Sequence, residues 1–132
     1  MMTVEEYIRK LTLEEKVIML HGASMWTTHS VPRLRLPSVF LADGPHGLRK
    51  QEGSADHLGL GASVPATCFP TAAAMANSWD QELGQRLGRA LGEEAVANDV
   101  HVVLGPGLNM KRSPLCGRNF EYFSEDPYLS GK

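Results

Sequence analysis

Asp43 is the first residue in this chain whose type and setting point to chemistry. It follows the apolar run Val39-Phe40-Leu41-Ala42 and opens Asp43-Gly44-Pro45-His46-Gly47, a run that cannot continue a strand. A carboxylate held still by glycine and proline can accept hydrogen bonds from two neighbouring hydroxyls, and sugars offer such vicinal pairs. The alternative is local, with Asp43 capping its own turn as an Asx motif. Arg49, six residues on, and Arg118 could each donate planar, paired hydrogen bonds to sugar hydroxyls. Each could equally be a structural ion-pair arginine. Glu121 is the expected partner of Arg118, either orienting it or forming a plain salt bridge with it.

Arg118 and Glu121 lie in the longest irregular stretch, residues 105–127, which follows the β-type run His101-Val102-Val103-Leu104. This stretch holds three cations, Lys111, Arg112 and Arg118, and three acids, Glu121, Glu125 and Asp126. Phe120, Tyr122 and Phe123 give it apolar anchors, so it is expected to hold one shape. A loop of this length is uncommon unless it has a function, and loops fixed on a strand end are where binding groups usually sit. Lys111 and Arg112 read as loop-internal or surface charges.

The five histidines, His21, His29, His46, His57 and His101, have no metal-ligand spacing. His46, the one near Asp43, is expected to line the same pocket in a supporting place. Trp26, Trp79 and Tyr122 could stack on a sugar ring, although core packing is the default for each. Gly59-x-Gly61 and Gly105-x-Gly107 lack the third glycine of a dinucleotide site. No Ser-His-Asp or Cys-His arrangement emerges from the spacing. No metal and no cofactor is expected.

The elements that must position these groups carry clear end signals. Thr3 with Glu6, and Thr12 with Glu15, fit capping boxes that open helices over residues 4–10 and 13–20. In the second, Leu13, Val17 and Leu20 share one face, and Gly22 is its expected terminator. Residues 22–38 read as loop. The run 39–42 has the wholly apolar character of a buried parallel strand. A second long loop covers residues 50–65. Residues 69–76 are ambiguous and read as a short strand or extended segment. Asp80 caps a helix over 81–97, in which Leu83, Leu87, Ala90, Leu91 and Glu94 follow the i, i+3, i+4 pattern. Residues 101–104 form the next strand, and Asp126-Pro127 starts a last helix. Apolar strands alternating with amphipathic helices imply a parallel α/β sheet or barrel. An eightfold barrel takes about 250 residues, so residues 1–132 are expected to be one incomplete domain, the first part of such a barrel.

Composition narrows the function classes. The chain has 132 residues, of which 42% are hydrophobic and 21% charged, with net charge −2 and pI near 6.2. That balance argues against a nucleic-acid partner, which would need a basic face. Its apolar runs are far shorter than the roughly 20 residues of a membrane span. The start, Met1-Met2-Thr3-Val4-Glu5-Glu6, is acidic where a signal peptide would be basic, and there is no Asn-x-Ser/Thr sequon. A cytoplasmic location is expected. Cys68 and Cys116 are too few for a disulfide framework, and are expected to be reduced, buried or half-buried thiols.

Taken together, several segments resemble the start of glycoside hydrolase family 3. They are Leu11-Thr12-Leu13-Glu14-Glu15-Lys16-Val17, Asp43-Gly44-Pro45-His46-Gly47-Leu48-Arg49, Phe69-Pro70-Thr71, and Gly92-Glu93-Glu94-Ala95 with Gly105-Pro106-Gly107-Leu108-Asn109. Gly117-Arg118-Asn119-Phe120-Glu121 and Ser124-Glu125-Asp126-Pro127 complete the set. The resemblance covers nearly the whole chain in order, and β-glucosidases are the closest look-alikes. It implies the N-terminal portion of a TIM-barrel-like (β/α)8 domain and a β-glucoside as the small carbohydrate substrate. It also implies that Asp43, Arg49 and Arg118 contact the sugar of the first subsite, with Glu121 standing behind them. The family's Lys-His pair, nucleophilic aspartate and acid/base glutamate would lie further along than Lys132. The expected activity is retaining hydrolysis of terminal β-glucosyl residues. The rivals are a β-xylosidase or N-acetylglucosaminidase of the same family and a non-catalytic sugar-binding piece. An incomplete barrel would need the rest of the domain or would self-associate.

Overall fold

The computed structural model describes residues 2–53 and 61–132. Met1, His57 and Gly59 lie outside the described residues, as does the middle of the expected loop over 50–65, residues 54–60. The element order is α1 (Val4–Lys10), α2 (Leu13–Ile18), β1 (Leu41–Asp43), α3 (Ala72–Ala76), α4 (Gln81–Ala97), β2 (Val102–Leu104) and α5 (Pro127–Ser130). Two short 3-10 turns, Pro32–Leu34 and Asn119–Glu121, interrupt the loops. The chain divides into two compact units, Met1–Leu41 and Ala42–Lys132.

In the first unit, both helices start where their capping boxes place them. The Thr3 and Thr12 hydroxyls accept from the Glu6 and Glu15 amides, and those glutamates accept from the threonine amides in return. Two otherwise orphaned helix N–H groups are thereby satisfied at each start. Arg33, in the Pro32–Leu34 turn, reaches back to both helices. Its Nε donates to Glu15 Oε1 at 2.7 Å and its Nη2 to the Lys10 carbonyl at 2.8 Å, with a second short contact to Glu15 Oε2. Arg33 holds the Glu15 carboxyl down to about 2, helped by the Thr12 amide. Isolated bridges Gly22↔Thr28, Thr27↔Phe40 and Val31↔Leu36 tie down the long connection, and Val31 and Leu34 are its buried side chains.

The second unit contains a two-stranded sheet in which β1 and β2 are neighbours. Asp80 opens α4 by accepting from the Glu82 and Leu83 amides. Leu83, Leu87, Ala90, Leu91 and Glu94 form the more covered face of that helix, and Ala95 is buried. Ala42, Leu48, Ala72 and Val100 complete this unit's core. Residues 50–52 pair with residues 62–64, through Val64 N–H to the Lys50 carbonyl at 2.9 Å and Glu52 N–H to the Ala62 carbonyl at 2.8 Å. This ribbon leads from the turn after β1 to the segment 64–68.

The structure departs from the sequence reading in four places. Residues 69–76 are not a strand: Thr71 caps α3 by accepting from the Ala74 amide, and a run of alanines has high helix propensity. The second helix ends at Ile18 with Met19 as its cap, so Gly22 is not its terminator. The face formed by Leu13, Val17 and Leu20 is uncovered, with Leu20 88% exposed. The strands are shallow, since Ala42 alone is buried in β1 and no residue is in β2. Among the described residues each strand has one strand neighbour and keeps an open edge. Cys68 and Cys116 are free thiols but exposed, because both sit on loop segments rather than on an element's core face. Among the described residues, no helix is long and apolar enough to cross a membrane.

Candidate functional site

Asp43 ends β1, and the chain turns back on itself immediately after it. The Arg49 amide donates to the Asp43 carbonyl at 2.8 Å, closing a turn over residues 44–48. Gly44 and Gly47 adopt φ of 145° and 137°, values that side-chain-bearing residues rarely reach. A Cβ on Gly47 would come within 2.1 Å of the Thr67 carbonyl oxygen, so the turn and the segment 64–68 are in backbone contact. The Asp43 carboxylate accepts the Gly44 amide at 3.0 Å through Oδ1. Oδ2 has no hydrogen-bond partner among the described residues.

The stretch 105–127 is internally tied, as its anchors imply. Asn119 Nδ2 donates to the Ser113 carbonyl at 2.8 Å, and the Lys111 amide to the Ser124 carbonyl at 3.2 Å. Gly107 bridges to Tyr122. The Asn119–Glu121 turn sets Arg118 and Glu121 on one side, where they form a two-pronged pair. Nη2 reaches Oε2 at 2.8 Å and Nε reaches Oε1 in a shorter contact. Arg118 holds the Glu121 carboxyl below the ordinary carboxylate range, and its own pKa is raised in return. The Arg118 side chain is 69% exposed against 14% for Glu121. Its Nη1 edge therefore stays available to a ligand while Glu121 fixes the plane of the fork.

Asp43, His46, Arg49, Thr67, Arg118 and Glu121 line one cavity of about 510 Å³, together with Gly44, Cys68 and Phe120. A second depression of about 260 Å³ shares Asp43, Arg118 and Glu121, and adds Asn109 and Tyr122. All five residues singled out in the sequence, Asp43, His46, Arg49, Arg118 and Glu121, thus face the larger cavity. Arg49 forms no ion pair among the described residues. Both His46 ring nitrogens are shielded without a hydrogen-bond partner among those residues. The ring lies 5.9 Å from that of Phe120, which suits packing support better than polar contact with a ligand. Trp79, Lys111 and Arg112 line neither depression.

Sequence reasoning missed the wall formed by Val64, Ala66, Thr67 and Cys68. The neighbouring Phe69-Pro70-Thr71 motif was the one signal available. The cavity offers two carboxylates, Asp43 and the Arg118-bound Glu121, with two guanidinium groups and an aromatic edge. That set suits a neutral ligand rich in hydroxyls, which needs acceptors and donors side by side. No group of three or more His, Cys, Asp or Glu side chains placed to hold a metal ion occurs among the described residues.

Known proteins sharpen this picture. The family model described as the glycosyl hydrolase family 3 N terminal domain matches residues 22–132. The thermostable beta-glucosidase B of Acetivibrio thermocellus is 57% identical over 129 residues, covering 98% of this chain and 17% of that protein. An exo-alpha-(1->6)-L-arabinopyranosidase of Bifidobacterium longum is 50% identical over 125 residues, covering 94% and 16%. Among solved structures, the beta-glucosidase of Kluyveromyces marxianus in complex with glucose superposes with a TM-score of 0.88 at 37% identity, covering 99% of this chain and 15% of that one. The chain therefore spans less than a fifth of the length of these relatives.

Proposed function

The chain belongs to glycosyl hydrolase family 3, and on that premise we propose that it supplies the sugar-holding wall of a β-glucosidase. The whole protein would hydrolyse terminal non-reducing β-D-glucosyl residues with retention. In this reading β1 and β2 are two strands of a TIM-barrel-like (β/α)8 domain, and residues 1–132 are its N-terminal part. Asp43 accepts hydrogen bonds from two adjacent hydroxyls of the terminal sugar. Arg49 and Arg118 donate to the same ring, Glu121 holds Arg118 in its plane, and His46 supports the turn. None of these groups breaks the glycosidic bond. Retention needs two carboxyls about 5–5.5 Å apart, one attacking the anomeric carbon and one protonating the leaving oxygen. Neither role is assigned to an acid of this chain. The contribution here is ring positioning, whose binding energy is spent on orienting and distorting the reacting sugar.

The observation that carries the reading is the shared cavity lined by Asp43, Arg49 and Arg118, in a chain 57% identical to a beta-glucosidase. A panel of aryl glycosides on the full-length protein tests it. The β-glucoside should be the best substrate, ahead of β-xyloside, β-N-acetylglucosaminide and α-L-arabinopyranoside. A clear preference for one of the other three would replace the specificity while keeping the family.

A further inference from the structure

Within the Gly92-Glu93-Glu94-Ala95 motif, Glu94 has no part in the site as described so far. It occupies a position on the covered face of α4, where the helical pattern calls for an apolar residue. Its Oε1 accepts two hydrogen bonds from one residue, Thr67: the backbone amide at 2.9 Å and the hydroxyl at 3.1 Å. Thr67 lies in the segment 64–68 that walls the larger cavity. Its carbonyl is the group that touches Gly47, and two residues on, the Phe69 amide donates to the His46 carbonyl at 2.8 Å. A chain of contacts therefore runs from α4 through Thr67 to both the backbone and the packing of the turn that joins Asp43 to Arg49.

We propose that Glu94 is a positioning residue for this cavity: by clamping Thr67 from α4, it fixes the wall against which the Asp43–Arg49 turn is held. Segment 64–68 has no helix or strand of its own, so a loop at this place needs an outside acceptor to hold one conformation. One oxygen with two lone pairs can take both Thr67 donors, and the carboxylate charge strengthens each bond. The claim about the loop rests on these distances alone. Its consequence for a sugar rests on the function proposed above.

Amide hydrogen exchange on the full-length protein, read at single residues by mass spectrometry with gas-phase fragmentation, tests the clamp. Glu94→Ala should speed exchange at Thr67 and Phe69 by at least about tenfold, the factor expected for a lost hydrogen bond to a charged acceptor. The amides around Leu87 in the middle of α4 should keep their rates. Glu94→Gln retains one acceptor oxygen and should stay within about threefold of the parent. If Glu94→Ala also loosens α4, Thr67→Val decides, since it removes the hydroxyl bond alone and should raise exchange at Phe69 by a few-fold. Unchanged rates at Thr67 and Phe69 in both Glu94→Ala and Thr67→Val would overturn the proposal. Glucose titration of the same samples separates the two claims. No glucose response in the full-length parent would count against the sugar-binding reading and leave the exchange result to judge the clamp. Binding weakened about tenfold by Glu94→Ala and restored by Glu94→Gln would support both.

Discussion

Replacing Asp43 with Asn distinguishes a ligand-binding carboxylate from a turn cap, because the geometry separates the two roles by atom. Oδ1 accepts the Gly44 amide, while Oδ2 is the acceptor left for the cavity. An asparagine carbonyl oxygen can take over the bond to Gly44, and the backbone bond from Arg49 to the Asp43 carbonyl involves no side chain. The turn should therefore survive the change. The amide nitrogen would stand in place of Oδ2, presenting a donor where a sugar hydroxyl expects an acceptor. Hydrogen bonds to charged groups are each worth about 1.5–3 kcal/mol, and about 1.4 kcal/mol is tenfold in rate. In the full-length protein, kcat/KM on an aryl β-glucoside should fall at least roughly tenfold to a hundredfold, with part of the loss in kcat. The Tm should be nearly unchanged for Asp43→Asn and lower for Asp43→Ala, which removes the cap as well. Full activity with a lowered Tm in Asp43→Asn would refute the binding role and leave Asp43 as a turn residue.

Other consequences follow from named contacts. Gly47→Ala would force a Cβ against the Thr67 carbonyl at a φ of 137° and should destabilise the chain by about 1–3 kcal/mol, measured by urea unfolding. Glu15 titrates at about 2 in the folded chain against 4.5 ordinarily. A lowered carboxyl pKa gives stability that is present above about pH 4.5 and lost as pH falls toward 2. NMR titration should find that midpoint, Arg33→Ala should move it most of the way back, and a Glu15 midpoint near 4.5 in the parent chain would contradict the pairing. The 132-residue chain alone should not turn over an aryl β-glucoside; turnover abolished by mutating one of its own acids would reverse the assignment. Leu13, Leu20, Trp79 and Leu115 are highly exposed, so the isolated chain should associate with rising concentration in sedimentation runs.

What the sequence disclosed well was local. The starts of α1, α2, α4 and α5 follow from side chains within three residues of each cap, such as Thr3 with Glu6 and Asp126 with the Tyr128 and Leu129 amides. The shape of the Arg118–Glu121 pair was also legible, because a three-residue spacing is a local matter. The second cavity wall was not, since it depends on Glu94 meeting Thr67 across 27 residues of chain. The helix at residues 72–76 had local signals too, the Thr71 cap and the alanine run that follows it. The short run was ambiguous between strand and helix, and packing of α3 against the Asn119–Glu121 turn accompanies the helix. The exposed thiols and the uncovered Leu13–Leu20 face follow from which surfaces find a neighbour, and residue type alone does not report that.

The most direct test of the central claim is a crystal structure of the full-length protein with glucose bound. The account predicts the sugar in the cavity, with two adjacent hydroxyls within hydrogen-bond distance of the Asp43 carboxylate and with Arg49 and Arg118 donating to the same ring. Glucose bound away from Asp43, or held there without contact to either arginine, would contradict it.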